Sequence, residues 1–343
     1  VIPYESLLDC KDALRAGRAA LYSRLDLESL YFYGHDVTEI VEKEYLRSGL
    51  SVSNYVFYFV GKKISEQFNL TKVVMTYENR GWENAFILGL KENPSRLHIM
   101  GYQHAVISPA ATGYFVGVNE SSLKPLPDII YTTGKEPTAI LREYGNYPAE
   151  KLVVGVGLRY KWLSEIRQRK CIEKRGAILL CLEGVPPVVE VIDYCLRELK
   201  LSEKFMLKIR FHPEFGVADL DSRRKKDLSE APRIEVSIGS TLADDLKEAD
   251  ICMYWGSTVA LEALAHGIPL IHFDTGYPMN YDPLFRCPAL KWVVKPEDSL
   301  EHVIESIYKL TTSQYRDESV LGINYVSQYF RPIVEGSLDQ QFT

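Results

Sequence analysis

A carboxylate, an amide and a guanidinium stand side by side at Glu78-Asn79-Arg80, where the apolar run from Lys72 to Tyr77 stops and a helical pattern begins at Trp82. Charged groups at the end of a buried strand are either a solvated turn or the wall of a site. In the second case Glu78 is the leading candidate for an acid, a base or a nucleophile, with Asn79 and Arg80 close enough to tune its charge. Glu83 is the alternative carboxylate, unless it only complements the dipole of the helix whose first turn it occupies.

The C-terminal half holds residues suited to gripping an anion. The run from Phe205 to Phe211, which carries Arg210, ends at His212-Pro213. Proline cannot continue a central strand, so it fixes His212 at the strand's exit, where ligands of parallel sheets gather. A histidine there either hydrogen-bonds a phosphate or caps a loop. The run ICMYW (residues 251–255) leads through Gly256 into Ser257-Thr258 and a helix. Serine or threonine at a helix start is an ordinary N-cap, but this turn also offers free N–H groups and two hydroxyls to an anion. Glu262, one helical turn beyond Thr258, can accept from ribose hydroxyls or simply face solvent. Glu183-Gly184 follows the first strand of this half, and Gly184 allows a backbone to approach a ligand closely or merely serves a turn. Asp244-Asp245 falls in a helix and reads as a solvated first turn, so no acidic pair ends a strand.

Two further polar positions close strands in the N-terminal half. Gln103-His104 follows the run from Leu97 to Tyr102, and Gly157 with Arg159 follows Leu152–Val156. Arg159 is placed to meet a carboxylate or phosphate, or to pair with a surface acid as a linker residue.

The elements that position these groups alternate from about residue 71 onward. Strands are predicted at 72–77, 97–102, 128–132, 152–156, 177–182, 205–211, 234–237, 251–254, 269–273 and 291–294. Helical spacing fills six intervals, 82–91, 136–144, 188–199, 242–249, 259–266 and 300–310. Short strands rich in Val and Ile between amphipathic helices imply parallel sheets covered on both faces, so the class is α/β. The polar, basic stretch 158–176 suggests a boundary between two Rossmann-like domains facing across a cleft. The expected division is an acceptor-side domain at 1–160, a donor-binding domain at 161–325 and a tail at 326–343. The first 70 residues are less regular, with helical patterns in LDCKDALRAGRAALYSRL and NYVFYFVGKKISEQF.

Composition limits the remaining options. With 343 residues, 46% hydrophobic and 25% charged, the chain reads as an ordinary globular protein of one large or two medium domains. A net charge of −6 argues against a general nucleic-acid binder. No apolar run reaches the roughly 20 residues needed to span a bilayer. The six cysteines show no CxxC pairing, and a reduced cytoplasmic compartment is the default. Arg223-Arg224-Lys225-Lys226 reads as a solvated loop, with contact to anionic lipid at the inner membrane as the alternative. The chain opens on Val1, which admits membership of a longer polypeptide.

The ordered pair strand-HP and, some forty residues on, strand-GST-helix-E-HG-P resembles the donor half of GT-B glycosyltransferases. Within that group it is most similar to bacterial enzymes using CMP-activated keto sugars, the sialyl-, polysialyl- and Kdo transferases. The resemblance spans roughly residues 72–330 and includes the QH and G…R succession of surface-carbohydrate enzymes. It implies that His212-Pro213 and Ser257-Thr258 hold the CMP portion, with Glu183, Gly184, Arg210, Gly256, Glu262 and Arg159 around the donor. Glu78, His104 and Glu83 are then the catalytic candidates. It further implies a nucleotide-sugar donor as substrate, no separate cofactor or metal, and a glycan or lipid-linked glycan acceptor. UDP- or GDP-sugar transferases, epimerases or hydrolases on the same scaffold, and a non-catalytic GT-B-like binding module, are the competing readings.

Overall fold

In the computed structural model the described residues are all but 1–9, 23–28, 33, 48–49, 94–96, 119, 167, 202–203 and 334–343. The chain divides into two compact units. The first comprises Val1–Ala105, Gly113–Thr133 and Thr138–Gly155, and the second Val106–Thr112, Gly134–Pro137 and Val156–Thr343.

The first unit carries a short antiparallel pair, β1 (Tyr31–Phe32) and β2 (His35–Asp36), and a four-stranded parallel sheet. The sheet order is β3-β4-β5-β6, from Lys72–Thr76, His98–Tyr102, Ile129–Thr132 and Leu152–Val154. Helices α1 (Cys10–Tyr22), α2 (Thr38–Arg47), α3 (Leu50–Gln67), α4 (Gly81–Leu90) and α5 (Lys135–Glu143) accompany it. The helical patterns expected before residue 70 are therefore α1 and α3.

Helices α3 and α4 touch backbone to backbone. A Cβ on Gly61 would lie 2.3 Å from the Phe86 carbonyl oxygen, and one on Gly89 would lie 2.0 Å from that of Tyr58. Only glycine fits such a crossing.

The second unit is built on six parallel strands in the order β12-β11-β10-β7-β8-β9. They are β7 (Ala177–Cys181), β8 (Met206–Arg210), β9 (Ile234–Val236), β10 (Ile251–Tyr254), β11 (Leu270–Phe273) and β12 (Lys291–Val294). Every residue of β10 and β11 is buried, as their unbroken apolar runs require of central strands. The covering helices are α6 (Val189–Leu201), α7 (Ser222–Glu230), α8 (Leu242–Glu248), α9 (Val259–Ala265), α10 (Leu300–Tyr308) and α11 (Thr312–Tyr329). All ten expected strands and six expected helices are present, each within two residues at its ends.

Two segments differ from expectation. The basic run 223–226 is not a loop but the body of α7. Asp221 caps it by accepting from the Arg224 N–H at 2.9 Å, and Arg224 Nε bonds Asp193 at 3.0 Å while Arg223 pairs with the same carboxylate at 3.3 Å. Helix α11 was not anticipated, and it carries the chain through residue 326, where a tail was expected to begin. Its far end seats Val106–Thr112 and Gly134 in the second unit. Tyr329 Oη accepts from the Ile107 N–H at 2.7 Å, and a Cβ on Gly134 would meet the Gln328 carbonyl oxygen at 2.3 Å. Among the described residues no helix is long and apolar enough to cross a membrane.

Candidate functional site

In the first unit the site grows from the turn after β3. Asn79 adopts a left-handed φ of 59°, uncommon for a residue other than glycine. Three hydrogen bonds hold its side chain there: Tyr77 Oη and Asn84 Nδ2 donate to its Oδ1 at 3.0 and 3.2 Å, and its Nδ2 donates to the Gly113 carbonyl at 2.7 Å. Glu83 completes the lock. Its carboxylate is buried and accepts from the Glu78 N–H at 2.9 Å and the Arg80 N–H at 2.8 Å. Burial pushes the Glu83 carboxyl up from its ordinary value, against the pull of those two bonds. The structure thus places Glu83 under the turn as a capping residue, its oxygens occupied by main chain.

Glu78 is the group this turn presents. One of its oxygens receives Arg80 Nε at 3.0 Å and Nη2 at 2.9 Å, and the other lies 3.4 Å from His104 Nε2. His104 follows β4, the neighbour of β3, so adjacent parallel strands deliver the two side chains to one edge. Gln103 has the opposite fate. It is fully buried and its Oε1 accepts from the Thr133 N–H at 3.0 Å, tying the exit of β4 to that of β5. The QH pair therefore splits into a structural Gln103 and a presented His104, 44% exposed.

In the second unit the chain leaves β7 toward β8 and β9 on one side, whereas β10, β11 and β12 extend the sheet on the other. The carboxyl ends of β7 and β10 are therefore a topological switch point, where the departing loops leave a crevice. Glu183, Gly184, His212 and Gly256 converge there. A Cβ on Gly184 would lie 2.5 Å from His212 Nδ1, and one on Gly256 would lie 3.0 Å from Glu183 Oε1. His212 Nδ1 accepts from the Glu214 N–H at 3.2 Å, which puts the ring proton on Nε2. Burial raises the Glu183 carboxyl. Strand β8 stops at Arg210, two residues before His212-Pro213, and His212 forms an isolated bridge with Phe215.

The Gly256-Ser257-Thr258 turn departs from a simple cap. Thr258 already has helical angles and makes no cap bond, while the buried Ser257 Oγ accepts only a long bond from the Val259 N–H at 3.4 Å. Helix α9 has seven residues, so its dipole is short. Glu262 lines a pocket with Arg159, Tyr160, Thr241, Leu242 and His266. Burial pushes its carboxyl up to about 6, against the favourable charges of Arg159 and Arg210. Arg159 is accordingly a site neighbour of Glu262.

Arg210 and Asp245 are corrections to the sequence reading. Arg210 does not project freely from β8: its Nη1 meets Asp245 Oδ2 at 2.7 Å and Ser237 Oγ at 3.2 Å. Asp245, expected in a solvated turn, is buried and also accepts from Ser237 at 2.6 Å and Ser240 at 2.8 Å. Only Asp244 behaves as anticipated, in a capping box with Thr241. The network fixes the Ser237–Thr241 loop beside the pocket.

Sequence reasoning also missed Tyr281. Its Cβ lies 3.0 Å from where a Gly256 Cβ would be, and its ring stacks obliquely on Trp255 at 4.6 Å. The anchor is the buried Asp282, which accepts from Tyr254 Oη, Lys291 Nζ and the Leu284 N–H, each at 2.8 Å. The aperiodic stretch 274–290 gave no signal beyond its aromatic content.

No model of a known family matches the chain, and no curated protein sequence does. Solved structures do match in fold. MurG of Acinetobacter baumannii is 11% identical with a TM-score of 0.51, over 82% of this chain and 76% of that one. MnaA of S. aureus, in a co-structure with UDP, is 12% identical with a TM-score of 0.52, over 82% and 77%. UDP-GlcNAc 2-epimerase from Neisseria meningitidis, bound to UDP-GlcNAc, is 13% identical with a TM-score of 0.52, over 85% and 82%. At such identities the likeness is one of architecture. The chain has the α/β fold of the GT-B class, with two Rossmann-like units.

Proposed function

We propose that the protein transfers a sugar from a nucleotide-activated donor to a hydroxyl of a glycan or lipid-linked glycan of a bacterial surface polysaccharide. The observation that carries this reading is the convergence of Glu183, Gly184, His212 and Gly256 at the switch point of the second unit. The His212 ring packs over Gly184 and the Glu183 carboxyl over Gly256, and the exposed imidazole, with its proton on Nε2, is the donor assigned to a phosphate. Thr258, Ser257 and the Glu262–Arg159 pocket are assigned to the rest of the nucleotide, Glu262 accepting from ribose hydroxyls. Proton chemistry falls to the Glu78–His104 pair of the first unit.

The finer reading, a Kdo or sialic-acid-like sugar from CMP, rests on the ordered His212-Pro213 and Ser257-Thr258 motifs. The UDP and UDP-GlcNAc of two fold neighbours favour a second reading, a UDP-sugar transferase or epimerase. A thermal-shift series with CMP, UDP and GDP separates them, because the nucleotide that binds only the native state raises its melting temperature. Stabilisation by CMP supports the keto-sugar donor, and stabilisation by UDP alone replaces it. His212→Ala is expected to abolish the shift; stabilisation by no nucleotide, or an undiminished shift in that variant, overturns the site. Nucleotide binding without donor turnover would make the chain a binding module.

A further inference from the structure

We infer that Glu183 meets the donor's phosphate as a neutral acid that donates a hydrogen bond to a phosphate oxygen, so that nucleotide binding is coupled to protonation of this side chain. The inference rests on the nucleotide-donor reading of the second unit and fixes the charge state in which that site works. Glu183 leaves β7 at the switch point, and its carboxyl lies over Gly256, with Oε1 3.0 Å from where a Cβ on that glycine would stand. Tyr281 Cβ is equally far from the same point, so carboxyl and ring flank one glycine. Among the described residues the carboxyl has no hydrogen bond and no ion pair. The side chain is half-buried and not sealed, which leaves its oxygens within reach of a ligand.

An ionised carboxylate and a phosphate in one crevice repel each other, and a crevice walled by protein screens that repulsion less than water does. A cation of the protein or a proton on the carboxyl would remove it. The guanidinium groups are committed elsewhere. Arg210, in register with Cys181 of β7, meets Asp245 at 2.7 Å, and Arg159 lines the Glu262 pocket. The titratable groups on the elements around Glu183 are few. Tyr281 comes from the 274–290 segment, and His212 packs on the adjoining Gly184. Helix α6 opens with Glu190, engaged by the Tyr277 hydroxyl, and α9 carries Glu262.

Of these only the imidazole can carry positive charge, and it is assigned to the phosphate itself. A proton is what remains to neutralise Glu183. Burial acts in the same direction, raising its carboxyl from the ordinary value. Taken up from solvent, that proton turns a repelling oxygen into an O–H donor. The phosphate then receives it as a second donor beside His212 Nε2–H, and an O–H bond to an anionic oxygen is of the short, strong kind.

Titration calorimetry on the full chain in EDTA tests the coupling, with CMP-sialic acid, UDP-N-acetylglucosamine and GDP-mannose from about pH 6.5 to 9. The phosphates of these donors do not titrate in that range. Wild-type affinity is expected to fall as pH rises, approaching about tenfold per pH unit. Glu183→Gln, whose amide donates at every pH, should bind at least about tenfold tighter than wild type at the alkaline end. Its pH dependence should be shallower by one proton, with His212 and Glu262 left as the groups that titrate. Glu183→Leu removes the donor together with the charge, and should share the shallow dependence while binding about tenfold more weakly than Glu183→Gln. Equal slopes in wild type and Glu183→Gln overturn the inference. So does loss of binding in Glu183→Gln at every pH, which makes an ionised Glu183 the acceptor of a donor hydroxyl or amino group. Binding that appears only when magnesium replaces EDTA overturns it too, since a cation then stands where the proton was placed. If wild type binds none of the donors under either condition, the nucleotide-site reading fails and the coupling falls with it.

Discussion

Gly184 lies so close to His212 that a Cβ at position 184 would sit 2.5 Å from the imidazole Nδ1. The ring is thereby pressed against the backbone of the β7 exit, and its orientation depends on the absence of a single methyl group. Gly184→Ala is expected to swing His212 away and weaken nucleotide binding at least about tenfold, or ~1.4 kcal/mol. Titration calorimetry reads this directly. Gly216→Ala is the control, since a Cβ there meets nothing within 4 Å. Equal affinities in the two variants would detach His212 from the nucleotide.

Glu262 gives a prediction with a defined pH window. Its folded carboxyl, lifted by burial to about 6 from 4.5, is protonated more readily than in the unfolded chain. The associated stability is therefore complete below the unfolded value and is lost as pH rises through about 6. A shift of this size corresponds to about 2 kcal/mol. Glu262→Gln should be more stable than wild type by up to that amount at pH 8 and indistinguishable near pH 4.5, by urea midpoints. The same variant should bind nucleotide less well, a split expected of a residue retained for a ligand.

Asp245 has the opposite sign. Burial works against its charge, yet bonds from Ser237, Ser240 and Arg210 hold its carboxyl below 3.8. Its stabilisation is present above 3.8 and disappears as pH falls through the lower folded value. Asp245→Ala leaves Arg210 and Lys208 without their buried partner and should cost about 3–5 kcal/mol. Urea unfolding at pH 7 would show it, and the difference between variant and wild type should shrink on acidification toward pH 3.

Transfer is expected to continue at full rate in excess EDTA. The two adjacent acids that resemble a cation clamp are engaged otherwise, Asp244 with Thr241 and Asp245 with Ser237, Ser240 and Arg210. Loss of activity on chelation, restored by magnesium or manganese, would place a cation on the leaving phosphate instead.

The central strands were readable because burial on both faces leaves nothing but apolar residues, and β10 and β11 show that pattern without interruption. Helix α11 was invisible for the converse reason. Its inward positions are Tyr315, Ser319, Gly322, Tyr325, Val326 and Tyr329, spaced as a helix but mostly too polar to mark an apolar stripe. Helix α7 buries only Leu228, and its persistence depends on the Asp221 cap and on Asp193 from another element.

For the site, single residues at strand exits were legible and their partnerships were not. Glu78 and His104 are 26 positions apart, so only the register of β3 against β4 brings them together. Asp245 looked like a solvated helix start because nothing in its own segment announces Arg210 from β8. Tyr281 reaches its place through the buried Asp282 and the half-buried Lys291, contacts that no local pattern encodes.

The crossing of α3 and α4 has a mechanical consequence for the turn it supports. Gly61 and Gly89 act as a fulcrum near one end of α4, and Glu83 sits on the arm at the other. A ten-residue helix is about 15 Å long, so a side chain wedged at the fulcrum would tilt the arm and pull Glu83 from the N–H groups it grips. Two positions with no side chain, remote from any reacting atom, thus set the tolerance to which Glu78 is aimed.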